Sequence, residues 1–251
     1  MTYDDPTATG VEAAPPAATP NPDFPYYNGI PQTITGRQWW IITGAVAVGF
    51  SFIMFWPFGD AWSHWVPALA LPAIPLLVLR HFAPDHWTAI FRRVGVRDVL
   101  LMVGIFVLNF LVTIGVGALL TAFTDAEANP GADGLADAST TERILFFIQA
   151  IPQLLGEELL TILPLLGLMY YFYTKLKWSR RTAMILGWLI TAVIFGAVHL
   201  PTYDWNVAQA LIGIGIARLV LSLAFLITKN IWVSTGAHIL NDWAIFAGSM
   251  S

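Results

Sequence analysis

The sequence predicts an all-α fold: a polytopic transmembrane bundle of about seven helices behind an N-terminal tail. Three observations carry this. Of 251 residues, 57% are hydrophobic and only 11% are charged, whereas a typical soluble domain is about one quarter charged. The mean hydropathy is +0.66. Beyond Arg37 the chain becomes a series of apolar runs, close to the roughly 20 helical residues that cross ~30 Å of hydrocarbon. A globule of this length could not hide so much apolar surface, which excludes a soluble enzyme, a disordered protein and a nucleic-acid binder. The net charge of −4 leaves no basic footprint for nucleic acid. With no Cys in the chain, disulfides, zinc–thiolate sites and thiol catalysis are excluded as well.

Residues 1–38 read as a disordered, Ala/Pro-rich cytoplasmic tail. Met1 to Asp23 shows no apolar period, and it lacks the basic start and early apolar run of a signal peptide. Residues 39–251 form the transmembrane domain. Its spans are Trp39–Trp56, Trp65–Phe82, Val99–Phe123, Ile144–Phe172, Ala183–Leu200, Val207–Thr228 and Ile231–Gly248. The fourth is long and contains Pro152, Gly156 and Pro164. It is expected to kink, which a membrane tolerates when neighbouring helices satisfy the freed carbonyls. Splitting it would make eight spans. Trp39, Trp40, Trp56, Trp62, Trp65 and Trp87 read as interfacial anchors.

Basic residues give the orientation. Arg37, then Arg80, Arg92, Arg93 and Arg97, then Lys175, Lys177, Arg180 and Arg181, then Lys229 all fall on one side of a seven-span arrangement. The opposite loops hold Asp60, then Asp125, Glu127, Asp133, Asp137 and Glu142, then Asp204, with Arg143 as the exception. The alternation predicts a cytoplasmic N-terminus and an external C-terminus in a plasma membrane of bacterial type.

The informative residues are the ionisable ones inside spans. A charge at mid-bilayer costs about 2.5–3.5 kcal/mol on insertion scales, so such groups face a bundle interior or a wet cavity. Here they are Glu157 and Glu158 in span four, His199 at the end of span five, Arg218 in span six, and His238 and Asp242 in span seven. Adjacent residues point about 100° apart on a helix, so one cavity takes only one of the two glutamates directly. The other needs a separate partner, and Arg218 is a candidate. Arg218 lies roughly 16 Å from either end of its span, too deep to snorkel. It needs an internal anion: Glu157, Glu158 or Asp242. His199 shares a face with Phe195, four residues earlier, and Pro201 then stops the helix. His238 and Asp242 share another face, with Asn241 near it. A His and a carboxylate one turn apart can hold a metal ion or a water together. Taken singly, each of these also fits an ordinary helix-stitching pair. Together, on separate spans, they are most simply placed around one polar cavity. Axial distances set a condition on this. At ~1.5 Å per residue, Glu157 is roughly 27 Å from Lys175 and His199 roughly 27 Å from Arg181, but His238 only about 13 Å from Lys229. The three converge only if Lys229 sits inside a funnel or the helices are staggered.

These residues resemble the CPBP (CAAX protease and bacteriocin-processing, Abi) family of intramembrane proteases, which includes the type II CAAX prenyl endopeptidases. The family pattern is Glu-Glu-x-x-x-Arg, then Phe-x-x-x-His, then His-x-x-x-Asn/Asp, each on its own helix. Here it reads Glu157-Glu158-Leu159-Leu160-Thr161-Ile162, Phe195-Gly196-Ala197-Val198-His199 and His238-Ile239-Leu240-Asn241-Asp242. The run Asn230-Ile231-Trp232 is similar to the lead-in of the last motif. The resemblance covers about residues 143–246. One position departs: Ile162 stands where the family has Arg, and Arg218 is expected to supply that cation from another helix.

The resemblance implies hydrolysis of a peptide bond in a membrane-associated protein or peptide, with membrane lipid as the surrounding partner. Glu157 would activate water, and Glu158 would position it or bind substrate. His199 would assist, and His238 with Asp242 or Asn241 would stabilise the oxyanion. Phe195, Arg218 and Asn241 would support the site. A divalent metal, zinc first among the candidates, would take Glu157, His199, His238 and Asp242 as donors; metal-free activation of water fits the same residues. The competing expectations are a catalytically silent membrane scaffold or partner-binding protein, which Ile162 favours, and a proton-coupled transporter, against which stands the lack of an inverted repeat.

Overall fold

The computed structural model describes residues 23–57, 59, 62–124, 134–248 and 250. Among the described residues seven α-helices follow one another: α1 (Gly36–Phe55), α2 (Trp65–Phe82), α3 (Val96–Phe123), α4 (Thr140–Tyr170), α5 (Arg180–Val198), α6 (Gly215–Thr228) and α7 (Ile231–Gly248). A 3₁₀ turn (Trp87–Ile90) follows α2, and π-helical turns extend α4 (Tyr171–Lys175) and precede α6 (Gln209–Ile214). No strand occurs among the described residues. The fold is the all-α membrane bundle that the composition predicts.

Among the described residues six helical segments are long and apolar enough to cross a membrane: α1 to α5, with α4 running on to Lys175, and the segment Gln209–Thr228. The seventh helix is not among them, because His238, Asn241 and Asp242 lower its hydropathy. Helix α4 is continuous over Pro152 and Pro164, so the eight-span alternative is not what forms. Four helices begin earlier than the apolar runs suggest, because capping rather than hydrophobicity sets their starts; at α3 the Asp98 carboxylate accepts from the Gly95 N–H. Thr35 and Gln38 close a capping box on α1, and Ser139 and Glu142 close one on α4. Ser179 caps α5 through the Thr182 N–H.

Helix α4 is the centre of the bundle and packs on α1, α2, α5 and α7. The second half of α4 carries the core: Leu159, Ile162, Leu163, Leu165, Leu166 and Met169 are all at most 1% exposed. By contrast α3 turns Leu100, Val103, Val107, Leu111 and Ile114 outward, the face an integral membrane protein gives to lipid.

The boundary of the tail at residue 38 is corrected by the structure. Residues 24–35 form a packed strap, with Phe24, Tyr26, Tyr27 and Ile34 buried in the main core. Burying such side chains is worth about 1.5–3 kcal/mol each, enough to hold a Pro- and Asn-containing segment that composition alone marks as loose. Polar contacts add to this. The Tyr26 hydroxyl donates to the His86 carbonyl at 2.5 Å, and Thr174 donates to the Tyr27 carbonyl at 3.0 Å. The Asp23 carboxylate accepts from Arg180 at 2.5 Å and from the Tyr27 hydroxyl at 2.8 Å. Burial acts to raise the Asp23 carboxyl; the bonds from Arg180, Tyr27 and the Phe24 N–H outweigh it and hold the group below its ordinary 3.8. Burial, with Asp23 alongside, pushes the Tyr27 phenol up to about 12. The expected disorder of residues 1–22 lies outside the described residues, as do Asp60, Asp125, Glu127 and Asp133.

The strap also covers the turn that leads into α7. Asn230, in the α6–α7 turn, is 1% exposed and exchanges two hydrogen bonds with the Arg92 backbone, at 3.1 and 3.2 Å. Phe24 of the strap packs on Phe225, and Lys229 Nζ lies 5.0 Å from the Phe24 ring centre. The turn is therefore packed beneath the strap, and α7, which follows it, brings His238 to Glu158 of α4.

Candidate active site

Glu158, on α4, is fully buried and accepts from Arg218 Nη1 at 2.5 Å. Of the three anions open to Arg218 in the sequence, Glu158 is the one it meets. The same oxygen, Oε1, lies 3.0 Å from His238 Nδ1. A carboxylate paired with a guanidinium only accepts, so Nδ1 carries its hydrogen toward Glu158. Arg218 Nη2, 3.2 Å from Nδ1, is then a packing neighbour of that donor. Phe195, on α5, stacks under the guanidinium, 3.9 Å from ring centre to Cζ. Glu158, Arg218 and Phe195 thus fix the ring of His238 and leave Nε2 pointing to the other side.

On that side lie Glu157 Oε2 at 3.9 Å and Asp242 Oδ1 at 3.6 Å. Gln153 donates to Glu157 Oε1 at 3.2 Å. Asn241 donates to Asp242 at 3.1 Å, and Asn109 of α3 donates to Asn241 at 2.9 Å. His199 caps the end of α5, with Nδ1 2.7 Å from the Phe195 carbonyl. A carbonyl only accepts, so Nδ1 is protonated and Nε2 of the neutral ring keeps a free lone pair. Glu157, Phe195, His199, Arg218, His238, Asn241 and Asp242 all line one cavity of about 400 Å³. Glu158 stands behind this wall, holding Arg218 and His238 from the buried side.

Sequence reasoning missed three contributors. Asn109 is fully buried and is the far end of the Asn241–Asp242 chain. Gln153 sits one turn before Glu157, a spacing that could have flagged it. The π-helical turn before α6 left no periodic signal, yet its Gln209, Gly213 and Ile214 line the cavity. Its approach to α5 depends on Gly196: a Cβ there would fall 2.6 Å from the Ala210 carbonyl oxygen.

A zinc site needs three protein donors about 2.0–2.3 Å from one ion. Among the described residues no group of three or more His, Asp or Glu has metal-binding spacing. Glu157, His199, His238 and Asp242 line the cavity as separate hydrogen-bonding groups, and no step below is routed through a metal.

The three motifs therefore meet at one place, in the order the sequence shows. Residues 139–244 match the family of type II CAAX prenyl endopeptidase Rce1-like proteins. This is the family that the motifs resemble, and it is a protease family. No curated protein and no solved structure matches the chain. The match spans α4 to α7 almost entirely, the four helices that supply every expected site residue.

Proposed function

We propose that this integral membrane protein is an intramembrane endopeptidase, hydrolysing a peptide bond of a membrane-associated protein or peptide with water activated by Glu157. The observation that carries this is the convergence of Glu157, His199, His238 and Asp242 on one cavity, within a segment that matches a protease family. In this reading Glu157 Oε2 takes a proton from water as the oxygen attacks the substrate carbonyl carbon, and later returns that proton to the leaving amide nitrogen. His199 Nε2 accepts from the same water. His238, protonated on Nε2 as well as Nδ1, donates its Nε2–H to the developing oxyanion, and the Asp242 carboxylate, held by Asn241, balances the charge of that ring. Glu158 and Arg218 orient His238. The Arg of the family motif is replaced in position rather than lost: its charge comes from α6 instead of from residue 162. By the distribution of basic residues, we also propose that the strap faces the cytoplasm and that the C-terminus is external.

The test is cleavage by the purified full chain in lipid nanodiscs. Two probes are offered, a farnesylated CAAX peptide and an unmodified transmembrane peptide. Product should form from at least one, and Glu157→Gln and His238→Ala should each reduce the rate at least about 100-fold. Equal product from wild type and both variants would leave the scaffold reading alone. Metal content of the same samples, and cleavage after chelation and after zinc is restored, decides whether an ion takes part.

A further inference from the structure

The cavity that holds His238 has a neighbour. The second, of about 580 Å³, lies on the α1–α2 side of Glu157. It shares Glu157, Phe195, His199 and Asp242 with the first, so those four side chains form the wall between them. A substrate whose reacting carbonyl sits at Glu157 must extend into one space on each side.

The two spaces differ in lining. Beyond the catalytic side chains, the first combines small and apolar groups such as Gly213, Ala217 and Leu221 with Thr113, Tyr203 and Gln209. The second is walled by apolar groups such as Phe50, Ile53, Leu71 and Phe146, among which stand the amides Gln149 and Gln153 of α4. Gln149, Gln153 and Glu157 are spaced i, i+4 and i+8, which places them along one helical face. Gln149 is 8% exposed. Gln153 uses one amide N–H on Glu157 Oε1, which leaves its carbonyl oxygen and second N–H. An amide side chain offers one acceptor and two donors, the complement of a peptide group. A main chain drawn into this space needs such partners, because N–H and C=O groups taken out of bulk water without replacements cost free energy. An acyl chain in the same space would cover these amides and offer them nothing.

Resting on the protease reading above, we propose that the second cavity is the subsite for the substrate's main chain on one side of the scissile bond, with Gln149 and Gln153 pairing with its peptide groups. Gln153 then has two tasks. It binds substrate, and it holds Oε1 of Glu157 so that Oε2 is the oxygen presented to water.

The chain has no cysteine, so a single introduced thiol is a unique reporter. Ala150 and Thr202 both line the second cavity. Ala150→Cys is labelled with a maleimide in the full chain in nanodiscs, and Thr202→Cys serves as a second reporter in case the first fails to fold. Three probes are compared: an uncharged ten-residue peptide, the same sequence with backbone esters in place of alternate amides, and palmitate. The peptide should slow labelling, and the ester analogue and palmitate should not. Adding Gln149→Leu and Gln153→Leu should weaken the protection by the peptide roughly tenfold. Protection by palmitate equal to that by the peptide, protection indifferent to the glutamine changes, or no protection at either reporter would overturn the proposal. Labelling needs no hydrolysis, so protection without cleavage would sink the protease reading and keep the subsite. Cleavage without protection would do the reverse.

Discussion

The carboxylate of Glu158 and the guanidinium of Arg218 meet at 2.5 Å with neither side chain open to solvent, across 60 residues of sequence. The pair joins α4 to α6 at the point where His238 of α7 also attaches. Its worth lies less in the attraction itself than in what happens when one half is removed. Replacing a buried pair by apolar groups can be nearly neutral, whereas removing one partner strands a charge.

Arg218→Ala should therefore destabilise the protein by about 3–5 kcal/mol. The double variant Glu158→Leu/Arg218→Met should recover much of that loss while remaining inactive, because nothing then orients His238. Thermal unfolding in detergent, run beside the cleavage assay, separates the two effects. Placing the cation where the family motif has it should not help: Ile162 is 1% exposed among Leu159, Leu163 and Leu166, so Ile162→Arg should unfold the wild-type background.

Asn109 acts on the site from a distance, through the Asn241 amide to Asp242. Asn109→Leu leaves the Asn241 acceptor unpaired in a buried setting, a penalty of about 1–3 kcal/mol. If Asn109 only positions Asp242, kcat should fall with KM unchanged, and Asn109→Gln should restore more activity than Asn109→Leu. An equal rise in KM would assign Asn109 to substrate binding instead.

Much of the architecture was legible because a membrane enforces it. The apolar runs gave the ends of α2 and α7 to the residue, and ionisable groups in those runs marked the cavity wall. What hydropathy could not see were local hydrogen bonds and packing. Ser139 and Thr35 moved helix starts, and a π-helical turn broke the period before α6. The strap was invisible for a different reason. Phe24, Tyr26, Tyr27 and Ile34 follow no helical or strand period, so only the surface they meet reveals them as core. Arg218 could be recognised as needing an anion, but choosing Glu158 over Glu157 required knowing which face of α4 turns to α6.

Two glycines with similar overlaps should respond differently to Ala. At Gly156 a Cβ would lie 2.4 Å from Leu71 Cγ, and at Gly196 it would lie 2.6 Å from the Ala210 carbonyl oxygen. The first neighbour is the Leu71 side chain, whose outer carbons can turn while its Cβ, at 2.9 Å, must yield with α2; the second is backbone. Gly196→Ala must push α5 from the π-helical turn, displacing Phe195 and His199 from the cavity wall. Overpacking of this kind costs about 1–3 kcal/mol. The Tm of Gly196→Ala should fall below that of Gly156→Ala, and Gly196→Ala should also lose more activity.

The strap carries the clearest pH dependence outside the spans. The folded state holds the Asp23 carboxyl below its ordinary 3.8, since the bonds from Arg180, Tyr27 and the Phe24 N–H outweigh burial. A depressed carboxyl stabilises the fold at pH values above its unfolded pKa and loses that contribution as pH falls through the folded one. The strap should therefore be anchored at neutral pH and loosen once acidification passes below about pH 3.8, starting at Asp23. Both partners are more than 40% exposed, so the pair is worth only about 0.2–1 kcal/mol, and added salt should weaken it. Backbone hydrogen exchange over residues 24–35 should accelerate in acid in the wild type. In Asp23→Asn the exchange should already be faster at neutral pH and change less on acidification. A wild-type strap whose exchange is indifferent to both acid and salt would show that the buried aromatic side chains hold it alone.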